Sequence, residues 1–209
     1  MPVNYTVNSV VVDLRLDTPK TADRFYVDTN AWFWTAYSKL QFLPPSPDRK
    51  YKPEYPKFLA QVINMGGQLN WCGLSLSELA HLIEKTEHDI YCKTTAAMLN
   101  PKEFRHNLPA ERAHVAQEIQ TAWGAVESMA GCLNVPEING ASTTAALQEF
   151  AQLPVDGYDL FAINALKAAG IKQVISDDGD FCSVPGITLF TANQNVITAA
   201  RAQNKFRQR

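Results

Sequence analysis

Two short apolar runs of this chain end directly in carboxylates, and that pattern constrains its fold more than any other feature. Arg24-Phe-Tyr-Val-Asp28 reads as a buried strand that stops at an acid. Lys172–Ser176 repeats the pattern near the C-terminus and leads into Asp177, Asp178 and Asp180. Helical patterns lie between them, and strands alternating with helices call for a mostly parallel sheet covered on both faces. Ligands of such sheets bind outside the carboxyl ends of the strands, where Asp28 and Asp178 both point. Like charges brought that close cost stability unless a cation or a proton offsets them. Acids at the ends of two distant strands therefore suggest one metal site assembled from separate parts of the chain.

The remaining segments give one α/β domain with a helical insertion. Val10–Leu16 has strand character, and residues 1–20 are expected to form an N-terminal arm or an edge strand ahead of a single domain over 21–209. A helix opens near Asn30 and runs through Trp32–Tyr37. Prolines crowd residues 41–56, which excludes regular structure and predicts an ordered loop or lid. Phe58, Leu59, Val62 and Ile63 sit at helical spacing, ended by Gly66-Gly67. Leu69–Leu74 suits a strand, and Ser75-x-x-Glu78 suits a capping box opening the next helix. Residues 85–140 read as an enlarged helical region, strongly helical from Glu103 to Met129 with a break at Pro109. Helices are expected over Thr144–Leu153 and Asp159–Ala168, and a short strand over Ile187–Phe190. Thr191-x-x-Gln194 resembles a capping box for the last helix.

At 209 residues, with 46% apolar and 19% charged residues, the chain suits one sizeable core. A formal net charge of −2 provides no global basic field for nucleic acid, so any such binding rests on local patches and bound cations. No basic segment precedes an apolar run at the N-terminus, and no apolar run approaches the ~18 residues of a membrane span. Cys72, Cys92, Cys132 and Cys182 lack any Cys-x-x-Cys spacing and read as buried thiols in a reducing cytoplasm.

Val27-Asp28-Thr-Asn30, Ser75-Leu-Ser-Glu78-Leu, and Asp159 followed by Ser176-x-Asp178-x-Asp180-Phe181 together resemble a PIN domain. That family consists of metal-dependent nucleases and includes the VapC-type toxins of bacterial toxin–antitoxin pairs. The resemblance runs from about Phe25 to Phe190. It implies a PIN-like α/β fold in which Asp28, Glu78, Asp159 and Asp178 hold Mg²⁺ or Mn²⁺ and carry catalysis. Asp180 would be an additional ligand, while Asn30 and Ser176 would stand behind the ligands. It further implies an RNA substrate, endoribonuclease activity, an antitoxin protein as a candidate partner, and a homodimer as a candidate assembly. The alternative is a catalytically inactive PIN-like module that binds RNA or protein. The chain is longer than a minimal PIN toxin, through its proline-rich loop and its helical middle.

The chemistry agrees with that implication. Phosphodiester hydrolysis needs an activated water and an offset for charge on the phosphoryl oxygens, and hard divalent ions held by carboxylates supply both. Each acid also has a structural alternative: Asp28 as a strand-end turn residue, Glu78 as a cap, Asp156-x-x-Asp159 as cap and dipole partner, Asp177–Asp180 as an acidic turn. Arg49, Lys50 and Lys52 in the proline-rich loop are candidate phosphate contacts. His81, Glu84 and His88 miss the His-Glu-x-x-His spacing of a zinc helix.

Overall fold

The computed structural model describes residues 3–40, 43, 52–133 and 138–209. Its strands are β1 (Val10–Asp13), β2 (Arg24–Val27), β3 (Gln68–Trp71), β4 (Gly131–Cys132), β5 (Gln173–Ile175), β6 (Thr188–Thr191) and β7 (Phe206–Arg207). Its helices are α1 (Thr29–Ala36), α2 (Glu54–Asn64), α3 (Gly73–Thr95), α4 (Pro101–Asn107), α5 (Pro109–Met129), α6 (Gly140–Phe150), α7 (Gly157–Ala169) and α8 (Gln194–Ala202). Among the described residues the strands form one sheet in the order β4-β3-β2-β5-β6-β1-β7, and every pairing is parallel. β1 thus lies one strand in from the edge, with β7 outside it.

Strand residues alternate between two dry faces, as period-2 side-chain geometry demands. Val11, Tyr26, Val174 and Leu189 pack against α6, α7 and α8. Val12, Phe25, Val27, Ile175 and Phe190 pack against α1, α2, α3 and α5. Burial on both faces is why these strands read as continuous apolar runs. Phe190 meets Phe25 edge-on with ring centroids 4.9 Å apart, and Phe58 covers both.

Several boundaries differ from the sequence expectation for local reasons. α3 starts at Gly73, not Ser75, because the Cys72 N–H donates to Ser75 Oγ (3.3 Å) and Ser75 closes that first turn. Glu78 is therefore not a capping residue. The last helix is capped by Asn193, whose side chain accepts from Asn195 N and Val196 N, so Thr191 and Gln194 form no capping box. α2 begins at Glu54, inside the stretch expected to be loop to residue 56, since proline is tolerated in a first helical turn, where the N–H has no partner. The break at Pro109 separates α4 from α5. Asn100 caps α4 through a box with Glu103 and Pro101 at its start. Only Cys72 and Cys182 are buried; Cys132 is exposed, and all four thiols are free.

The chain order places a crevice. From β2 it moves through α2 to β3 and on to β4, then returns to lay β5 on the opposite side of β2. The carboxyl ends of β2 and β5 thus flank the topological switch point, where connections leave in opposite directions and open a cleft.

Candidate metal centre

Val27 pairs with Ile175, so the next residues, Asp28 and Ser176, stand side by side at the switch point. Asp28 is buried and caps α1, its Oδ1 accepting from Thr29 N (2.7 Å). Its Oδ2 accepts from Asn30 Nδ2 (2.6 Å) and Ser176 Oγ (2.6 Å). Asn30 also accepts from Asp177 N (3.0 Å), and Ser176 Oγ from Asp178 N (2.8 Å). One small network therefore ties the end of β2 to the turn after β5. Asp180 N donates to Asp178 Oδ1 (2.9 Å), which closes that turn before the 3₁₀ segment Asp180–Ser183.

Two helices bring the other acids. Asp156 caps α7, accepting from Tyr158 N and Asp159 N, which leaves Asp159 buried in the first turn. Glu78 projects half-buried from the second turn of α3. The four groups lie close enough for their charges to act on one another. Burial pushes the Asp159 carboxyl far above its ordinary range, and the charges of Asp28, Asp156, Asp178 and Glu78 push it further. Burial and then Glu78 raise Asp28 likewise, against the hydrogen bond from Ser176. Glu78 is raised by burial, with Asp156 and Asp178 adding to it. Asp180 rises to about 6, through burial and then Asp178.

The cluster is open. Among the described residues, no three of these acids bring an oxygen each within 4.8 Å of one another. That spacing suits an ion that keeps part of its water shell, as Mg²⁺ does, more than a dry cage. The donor set fits a hard divalent cation: all oxygen, net negative, and mutually repelling without a counter-charge. Thr29 adds a further observation. Its side chain is buried beside Glu78 and favours the ionised form of that carboxyl, against the burial that raises it.

Asp177 points elsewhere. Its carboxylate forms an ion pair with Lys52 and accepts from the Tyr55 hydroxyl (2.8 Å). Tyr55 Oη also accepts from Ala192 N (3.0 Å), so one buried phenol braces the ends of β5 and β6 from behind. Lys52 lies over the Trp34 ring as well, 5.1 Å from its centroid. Arg49 and Lys50 lie outside the described residues. Nothing in the sequence singled out Tyr55, because a tyrosine in a proline-rich stretch carries no spacing signal.

No family model matches the sequence, and no curated protein matches it either. Among solved structures the chain is similar to VapBC2 from Rickettsia felis bound to a DNA fragment from their promoter. The TM-score is 0.46 and the identity 12%, over 80% of this chain and 98% of that one. A likeness of that size carries no argument about chemistry, which rests on the residues above.

A second polar cluster, not foreseen from sequence, joins α3 to α5. Glu87, His114 and Glu118 bring ligand atoms within 4.8 Å of one another. The Lys39 ammonium already sits among them, 2.8 Å from Glu87 and 2.6 Å from His114 Nε2. Tyr37 Oη donates to Glu87 (2.7 Å) and Ser38 Oγ to Glu118 (2.7 Å). The lysine supplies the positive charge that a metal would, and the cluster fastens the end of α1 to α3 and α5.

Proposed function

We propose that the chain is a Mg²⁺- or Mn²⁺-dependent phosphodiesterase, an endoribonuclease of PIN type. The observation that carries this reading is the mutual repulsion of Asp28, Glu78, Asp159 and Asp178 at the switch point of a parallel sheet. Four acids from four elements, two of them buried, gather their charge at this one site. Asp28, Glu78, Asp159 and Asp178 would hold the ion, with Asp180 at the rim. When bound, a divalent cation lowers the pKa of coordinated water and offsets charge on the phosphoryl oxygens.

The chain's own residues have separable duties in this reading. Asn30 and Ser176 aim Asp28 by donating to its Oδ2, which fixes that carboxylate and favours its anionic form against the burial that raises it. Asp156 holds the first turn of α7 and with it Asp159. The open side of Asp178, an exposed residue, leaves room for a nucleic-acid strand. The membership of a toxin–antitoxin pair, an antitoxin partner and a homodimer belong to the same reading through the sequence resemblance.

Incubation of the protein with a mixed single-stranded RNA tests the proposal. Cleavage is expected with Mn²⁺, absent in EDTA, and lost in Asp28→Asn and Asp178→Asn at unchanged circular dichroism. Equal cleavage by parent and both variants would rule the site out. Metal binding without any cleavage would favour a PIN-like binding module.

A further inference from the structure

The arm ahead of β1 is fastened to the acidic turn by bonds outside the sheet. Gln203, just past α8, accepts from Val7 N (2.9 Å) and donates to the Tyr5 carbonyl (2.8 Å). Asn8 N and Ser9 N donate to the Cys182 carbonyl (2.8 and 3.0 Å), and Asn8 Nδ2 to that of Ser183 (3.0 Å). These bonds set the Tyr5 ring directly on Gly179, the residue between Asp178 and Asp180. A Cβ at position 179 would overlap Cε1, Cζ and Oη of that ring. The Gly179 backbone is ordinary right-handed helical, φ −74° and ψ −19°, so no left-handed conformation asks for glycine there. The close approach of Tyr5 does. The phenol also lies near enough to Asp178 and Asp180 to feel their charge, and a cavity of about 220 Å³ opens beside it, lined by Asn4, Pro154 and Ser183 among others.

The turn has reason to need a brace. Asp178 is exposed, so an unsupported turn would swing its carboxylate out to water. We propose that Tyr5 is a positioning residue of the metal centre, its ring on Gly179 holding the Asp178–Asp180 turn so that Asp178 faces the other acids. The inference rests on the metal site proposed above and adds a part of the chain that lies outside the motifs.

The test compares the parent with Tyr5→Ala, Tyr5→Phe, Gly179→Ala and the Tyr5→Ala/Gly179→Ala double variant. Each is melted without metal and across a Mn²⁺ titration. Loss of a residue that orients metal ligands is expected to raise the half-maximal Mn²⁺ concentration on the order of tenfold in Tyr5→Ala. Tyr5→Phe keeps the ring and should stay near the parent. Gly179→Ala expels the ring and should match Tyr5→Ala, and the double variant should be no worse than either, since both changes break one contact. A Tyr5→Ala protein with parental Mn²⁺ dependence, whatever its metal-free melting point, overturns the inference and leaves the metal site standing. Defects that add in the double variant also overturn it. A parent that shows no Mn²⁺ response overturns both.

Discussion

Asp159 experiences the site's repulsion with least relief, because no hydrogen bond among the described residues engages its carboxylate. Replacing it by asparagine removes the charge and keeps the shape. Asp159→Asn should therefore melt higher than the parent in EDTA, yet gain little from Mn²⁺ and cleave no RNA; a lower metal-free melting point would refute the repulsion. Glu78→Gln is a cleaner probe than the sequence suggested, because Cys72 and Ser75 form the start of α3 and Glu78 has no capping duty. Near-normal stability with activity largely gone is the expected result. Asp177→Asn should do the reverse, sparing cleavage while costing stability of about 1–3 kcal/mol in denaturant melts, since it weakens the pairing with Lys52 and Tyr55. Asp28 and Asp178 were legible because each follows an apolar strand. The separate duty of Asp177 was not, because neighbours in a turn look alike until their partners are known.

At the scale of elements, caps and charged clusters decide which helices carry the site. Asp156→Ala should cost about 1 kcal/mol through the lost cap and also weaken metal binding, since the first turn of α7 positions Asp159. Lys39→Met should destabilise by about 1–3 kcal/mol, because it takes the ammonium away from the buried Glu87 carboxylate and leaves it the Tyr37 hydroxyl and the more distant His114 ring. Its RNA cleavage should be unchanged, which separates this cluster from the catalytic one. The strand–helix alternation was readable from apolar periodicity over β2, α2, β5 and β6. β4 and β7 were not, for two-residue strands are defined by the partner they pair with and not by their own sequence. The capping errors had one cause: Ser75 and Thr191 are good cap residues by type, but Cys72 and Asn193 hold the position where the backbone turns.

Across the whole molecule, proton binding and metal binding oppose each other at one end of the sheet. Asp28 and Asp159 have folded pKa values raised above those of the unfolded chain, so the folded state takes up protons. The metal-free protein should thus be most stable near the ordinary carboxylate pKa of ~4 and lose stability as pH rises through neutrality. Asp23 has the opposite sign. Burial raises its carboxyl, but hydrogen bonds from Arg209, Gln173 and Lys20 outweigh that and hold it at about 2. Stability from the hold of Arg209 on Asp23 is complete above ~4 and should fade as pH drops toward 2. The described chain contains no helix long and apolar enough to cross a membrane. Divalent metal binds the folded site and not the unfolded chain, so it must shift melting if the four acids share an ion. The most direct measurement is the melting temperature at pH 7.5 with millimolar Mn²⁺ against EDTA, for the parent and Asp28→Asn. At ~100 times the dissociation constant the parent should gain about 2.7 kcal/mol, reversed by chelator and absent in the variant. An identical melting curve for the parent in Mn²⁺ and in EDTA would contradict the site.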